Sequence, residues 1–270
     1  VTPLVSGEWL SGHLDEVRVV DTRWYLDGRS GRAAYAAGHI PGAVWVDIDT
    51  ELSDPASEAA GRHPLPAPER FAAALEDAGI AEGTPVVAYD DAGGSIAARL
   101  WWLLHVLGEP VSVLDGGLAS WPGELTTAIH EVTPVHRTPR SWPEHRFLTA
   151  DQVADTTAVV LDARTAKRYA QGDPDIDPRP GHVPGAVSAP WADNLGSDNR
   201  FLPAVLLRKR FAALVDDRPV VAYCGSGVTA CHDLLALALT GRDDLALYPG
   251  SWSQWGADPS RPTATGPQSQ

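Results

Sequence analysis

The sequence predicts an α/β fold of two tandem, similar domains, each a mostly parallel sheet with helices on both faces. Three observations carry this. A chain of 270 residues suits one large domain or two ordinary ones, at roughly 100–200 residues each. Blocks of the first half return, in the same order, in the second. Within each half, short β-branched runs alternate with helical stretches, the pattern of a parallel sheet covered on both faces.

The repeated blocks fix the order of elements. Val19-Val20-Asp21-Thr22-Arg23 is echoed by Val160-Leu161-Asp162-Ala163-Arg164, and Gly38-His39-Ile40-Pro41-Gly42-Ala43 by Gly181-His182-Val183-Pro184-Gly185-Ala186. Pro85-Val86-Val87-Ala88-Tyr89 returns as Pro219-Val220-Val221-Ala222-Tyr223, and Gly116-Gly117-Leu118-Ala119-Ser120-Trp121 loosely as Gly250-Ser251-Trp252-Ser253-Gln254-Trp255, both at an offset of 134 residues. Such a long period marks duplicated domains rather than a solenoid. Val17–Asp21, Ala158–Asp162, Val86–Tyr89 and Val220–Tyr223 read as buried strands. Ile96–Leu107 and Ala230–Leu239 read as helices apolar nearly all round, and so buried. Residues 1–130 are the expected first domain, the proline-bearing stretch 131–146 a linker, 147–256 the second domain and 257–270 a flexible tail.

Composition narrows the function. The net charge is −14, with 21 Lys+Arg against 35 Asp+Glu, which argues against binding nucleic acid or an anionic membrane. Lys occurs only as Lys167 and Lys209, so an anionic substrate must be caught by Arg or by backbone N–H groups. Two cysteines make no disulfide framework. With no basic leader at the start and no apolar run of membrane-spanning length, a cytoplasmic chain is expected. The histidines show no ligand spacing and no phosphate- or dinucleotide-binding fingerprint occurs, so neither metal nor cofactor is expected.

The chemistry gathers after the strand Val220–Tyr223. Cys224-Gly225-Ser226-Gly227-Val228-Thr229 leads straight into a helix, where partial positive charge and unpaired N–H groups converge. Glycines at 225 and 227 let the backbone curl into an anion nest, a setting that favours the nucleophilic thiolate. In the first half Asp90 stands where the cysteine would be. It cannot carry sulfur, and the Asp90-Asp91 pair reads as helix-capping. Cys231, seven residues after Cys224, matches no redox or zinc spacing and reads as a core residue.

With these residues in view, the halves resemble the two rhodanese domains of the sulfurtransferase family over nearly the whole chain. Tyr35-Ala36-Ala37-Gly38-His39-Ile40-Pro41-Gly42-Ala43 resembles the family's first signature. Gly250-Ser251-Trp252-Ser253-Gln254-Trp255 resembles its C-terminal one, with Pro249 where Asp is common and Gln254 where Glu is usual. The uncharged cysteine loop is similar to that of the mercaptopyruvate-using branch, since thiosulfate-specific members place basic side chains inside it. The resemblance implies a silent first domain and a Cys224 persulfide held by the loop. It implies a small-molecule donor whose carboxylate is gripped by Arg168 and Arg179, and a thiol acceptor such as thioredoxin or a low-molecular-weight thiol, or cyanide. It points to Ser226 with His39, backed by Asp27, as a proton relay. His39 has a competing reading, because its His-x-Pro-Gly turn recurs in the half without the cysteine.

Three other functions are weighed against this. A cysteine phosphatase needs Arg six positions after the cysteine, where Ala230 stands. A non-catalytic rhodanese-like module would not need the cysteine and its glycines. Thiosulfate remains the alternative donor.

Overall fold

A computed structural model describes residues 2–267. The chain forms two compact units. The first contains β1 (Leu4–Val5), α1 (Gly7–Ser11), β2 (Arg18–Asp21), α2 (Gly31–Ala37), β3 (Val44–Trp45), α3 (Pro68–Asp77), β4 (Val86–Tyr89), α4 (Ala97–His105) and β5 (Val111–Leu114). Its strands lie in the order β1-β5-β4-β2-β3, every pairing parallel. The second contains α5 (Ala150–Ala154), β6 (Val159–Asp162), α6 (Ala166–Gln171), β7 (Val187–Ser188), α7 (Ala204–Phe211), β8 (Val220–Tyr223), α8 (Ala230–Leu239), β9 (Leu245–Leu247) and α9 (Ser251–Trp255). Its order is β7-β6-β8-β9, again all parallel. The expected α/β class and the duplication are both present: Asp21 pairs in register with Tyr89, and Asp162 with Tyr223.

Repeated sequence produces repeated packing. The central strands β2, β4, β6 and β8 are largely buried, and α4 and α8 bury nearly every side chain, Trp101, Trp102, Leu234 and Leu235 among them. Each such side chain contributes about 1.5–3 kcal/mol when removed from water. At the end of β2, Asp21 holds Arg23 in a buried pair at 2.6 Å, and Arg23 Nη2 donates to Gly38 O at 2.8 Å. Asp162, Arg164 and Gly181 repeat both distances in the second unit. A buried ion pair of this kind holds its geometry because each charge would be stranded without the other. Here it pins the His-x-Pro-Gly turn against the strand end.

Three features depart from the expected boundaries. Residues 55–65 pack with the second unit, and 197–201 with the first. The stretch 131–142 belongs to the first unit, where Arg137 is buried against Glu109 at 2.7 Å. Over 257–267 the tail is hydrogen-bonded to the second unit. Trp255 Nε1 donates to Pro262 O at 2.8 Å, His182 and Ala264 exchange backbone hydrogen bonds, and Gly266 N donates to Ala170 O at 2.9 Å. A backbone with so many partners is fixed despite its Pro/Thr/Ser composition; residues 268–270 lie outside the described region.

Candidate functional site

β8 delivers Cys224 to the carboxyl edge of its sheet, where ligands of open α/β folds bind. The residue is 2% exposed, and its Sγ accepts the Gly227 N–H at 3.2 Å. Gly227 has φ +78°, and a Cβ there would meet Pro249 O at 2.6 Å, so the loop closes only with glycine at this point. The backbone N–H groups of Gly225, Ser226, Val228 and Thr229 find no acceptor among the described residues. Thr229 sits at the start of α8 without a side-chain capping bond.

The first unit shows what such a loop binds. Asp90 accepts the N–H groups of Ala92, Gly94, Ile96 and Ala97 at 2.7–2.9 Å. Burial pushes this carboxyl's pKa up, and the four donors offset part of that rise. At the 134-residue offset, Ala92 and Gly94 correspond to Ser226 and Val228. The first loop therefore carries its own anion, and in the second the Gly227 N–H meets the Cys224 sulfur at 3.2 Å.

α9 clamps the cysteine loop. Trp252 N donates to Cys224 O at 3.0 Å and Ser253 N to Gly225 O at 2.8 Å. Ser251 adopts φ +51°, an uncommon backbone for a residue with a Cβ. Its hydroxyl accepts from Cys224 N at 3.2 Å and donates to Tyr248 O at 2.9 Å. Arg164 stacks over the Trp252 ring at 4.8 Å, tying the end of β6 to the same helix.

Ser226 Oγ lies 2.7 Å from His63 Nδ1, a histidine that sequence reasoning set aside with those lacking ligand spacing. His39 is elsewhere engaged. Its Nδ1 meets Tyr35 O at 2.8 Å, its Nε2 Ala128 O at 3.2 Å, and its ring stacks on Tyr35 at 3.9 Å. His182 repeats this against Tyr169, at 2.9 Å and 3.6 Å. The same contacts in both halves give this histidine a shared role in holding its turn. Asp27 is exposed and pairs with Arg29 at 2.9 Å.

Of the two arginines expected to grip a carboxylate, the structure brings one to the loop. Arg168 is held by Asp177, Nε to Oδ2 at 3.0 Å and Nη2 to Oδ1 at 2.5 Å. A Cβ on Gly225 would lie 3.0 Å from Arg168 Nη2 and 3.2 Å from Arg62 Nη2. Two guanidinium groups thus converge over Gly225, in space that only a residue without a side chain leaves open. Arg179 is used otherwise. Its Nη2 donates to the carbonyls of Trp255, Asp258 and Arg261 at 2.8–3.1 Å, which makes it an anchor of the 257–267 segment. Arg62 and His63 are the residues sequence reasoning missed. The available signal was Leu65-Pro66-Ala67, which returns as Leu202-Pro203-Ala204 and marks an Arg-His pair lying just outside a repeated block.

Among the described residues, no group of three or more His, Cys, Asp or Glu could hold a metal ion. No helix there is long and apolar enough to cross a membrane.

Comparison with known proteins agrees with this architecture. The rhodanese-like domain matches residues 6–124 and 148–258. A Pseudomonas aeruginosa protein named "Probable 3-mercaptopyruvate sulfurtransferase" is 44% identical, covering 97% of this chain and 98% of its own. The Mycobacterium tuberculosis protein SseB, provisionally named a thiosulfate sulfurtransferase, is 38% identical over 97% of each chain. The crystal structure of the 3-mercaptopyruvate sulfurtransferase SseA from Escherichia coli superposes with a TM-score of 0.79 at 33% identity, covering 93% of this chain and 99% of that one.

Proposed function

Because the chain belongs to the rhodanese family, with one rhodanese-like domain in each half, we propose that it moves sulfane sulfur from 3-mercaptopyruvate through a persulfide on Cys224 to a thiol or cyanide. The observation that carries this reading is the convergence of Arg62 and Arg168 over Gly225, beside a cysteine whose loop presents open N–H groups. A planar guanidinium binds a carboxylate or keto oxygen through two parallel hydrogen bonds. Two of them can fix the 2-oxo acid end of the donor while its sulfur faces Cys224. Asp177 orients Arg168 from behind.

In the first half-reaction the Cys224 thiolate attacks the donor sulfur. A sulfur–sulfur bond forms, the carbon–sulfur bond breaks, and its electron pair leaves as the enolate of pyruvate, which takes up a proton to become pyruvate. The Ser226 hydroxyl and His63 are the adjacent groups able to move that proton. The outer sulfur of the persulfide occupies the N–H cradle that Asp90 fills with oxygen in the first unit. In the second half-reaction an acceptor thiolate or cyanide attacks that outer sulfur, and the Cys224 thiolate is restored. The acceptor is thioredoxin, a low-molecular-weight thiol or cyanide, and the setting is cytoplasmic.

The test runs 3-mercaptopyruvate and thiosulfate side by side, with intact mass after each donor. Wild type should gain one sulfur atom and Cys224→Ser none. Arg168→Lys should lower kcat/KM for mercaptopyruvate by roughly ten- to a hundred-fold, since a charge-assisted hydrogen bond is worth about 1.5–3 kcal/mol. Sulfur retained in Cys224→Ser, or a wide preference for thiosulfate, would overturn the cysteine or the donor assignment respectively.

A further inference from the structure

Arg62 and His63 reach the cysteine loop on the strap 55–65, which has no helix or named strand of its own. Something must fix it. Its own fold is a tight loop in which Ser57 and Gly61 exchange backbone hydrogen bonds at 3.1 and 2.7 Å. Gly61, at φ +92°, packs so closely on α9 that a Cβ would lie 2.6 Å from Gly250 O and 2.9 Å from Ser253 Oγ. Two side-chain bonds then tie strap to helix. Arg62 N donates to Ser253 Oγ at 2.9 Å, and Gln254 Nε2 donates to Ala59 O at 2.5 Å. Gln254 Oε1 accepts from the Tyr248 hydroxyl at 2.9 Å, which orients the amide so that its NH2 faces the strap.

α9 therefore holds both halves of the chemistry. Its backbone N–H groups grip Cys224 O and Gly225 O, while the side chains of Ser253 and Gln254 grip the segment carrying Arg62 and His63. We propose that Gln254 is a positioning residue for the donor half-reaction: its amide bridges Tyr248 to Ala59 and thereby sets Arg62 against the Cys224 loop. This rests on the donor-binding role given above to Arg62. The choice of Gln matters chemically. A carboxylate could accept from Tyr248, but it has no N–H for Ala59 O and would set oxygen against oxygen.

The experiment compares wild type, Gln254→Glu, Arg62→Ala and the double variant with 3-mercaptopyruvate, alongside the rate of Cys224 alkylation by iodoacetamide and the thermal midpoint. Loss of one neutral hydrogen bond with added oxygen–oxygen repulsion should lower kcat/KM about five- to twenty-fold. The alkylation rate should stay within two-fold of wild type, because the sulfur is held by the loop's own Gly227 N–H and not by the strap. In the Arg62→Ala background, Gln254→Glu should add less than two-fold, since the strap then has less to position. A multiplicative effect in the double variant, or alkylation that falls in step with turnover, would mean that Gln254 supports the fold generally and would overturn the proposal. An unchanged Gln254→Glu enzyme would overturn it while leaving the donor reading intact. Wild type without mercaptopyruvate turnover would instead remove the donor reading.

Discussion

Replacing Asp90 with Ala separates the stability of the first unit from the chemistry of the second. The carboxylate accepts four N–H groups at 2.7–2.9 Å in a fully buried setting. A hydrogen bond to a charged group contributes about 1.5–3 kcal/mol. Four do not add in full, because they share one charge and because desolvating it is unfavourable, as the upward push on its pKa records. The net loss is expected at about 3–5 kcal/mol, the range for stranding one side of a buried charged network. That is a sizeable share of the roughly 5–15 kcal/mol that holds a domain together. Hydrogen exchange read by mass spectrometry localises the effect, with protection expected to fall over the loop and α4 (Ala97–His105). Sulfur transfer per folded molecule should stay within two-fold of wild type. Sulfate should restore part of the protection, since the emptied N–H groups form an anion site, and ten-fold saturation returns about 1.4 kcal/mol by mass action. A loss below about 1 kcal/mol, or one indifferent to sulfate, would refute the view of these loops as anion cradles.

Two further outcomes follow from the geometry. Arg179→Ala should raise hydrogen exchange over residues 256–266, the carbonyl region that Arg179 holds, while KM for mercaptopyruvate moves less than two-fold; a ten-fold rise in KM with normal protection would return Arg179 to the substrate site. Asp233 is buried beside Asn194, which donates to it at 2.7 Å, and burial pushes its pKa up to about 7 against the pull of Arg210 and Asn194, with Asp162 and Asp193 adding to the rise. The native state therefore binds more protons than the unfolded chain between about pH 4 and pH 7, so stability falls as pH rises through that window and levels off above it. Urea unfolding should show Asp233→Asn free of this loss, on the order of 2–4 kcal/mol. Parallel pH curves for the two proteins would contradict it.

What could be read from the sequence was local or repeated. The duplication, the buried strands and the Cys224 loop are contiguous motifs whose meaning survives without tertiary contacts. Arg168 was legible because its family motif is short, and Asp90 because its loop aligns with that of Cys224. His63 meets Ser226 across 163 residues, a pairing with no periodicity to betray it. His39 and His182 show the converse: a buried turn repeats wherever its motif does, so recurrence by itself does not separate structure from chemistry. Arg179 lies within a motif's reach of Arg168, yet its guanidinium turns to the carbonyls of a segment expected to be loose. Sequence proximity could not reveal that direction.

The strap 55–65 has a mirror. Residues 197–201 pack with the first unit, where Phe201 N donates to Asp115 at 2.9 Å and the Arg200 side chain covers Gly116, the repeat counterpart of Gly250. Each half of the sequence thus carries a short arm that packs with the unit built mainly from the other half. In such an arrangement the inherited unit and the working unit differ. A fragment cut at the repeat boundary, residues 147–270, would keep Cys224 and Arg168 yet lack Arg62 and His63. Of the two arms, 55–65 has Arg62-His63 where 197–201 has Asn199-Arg200, so the exchange is reciprocal in packing and one-sided in its side chains.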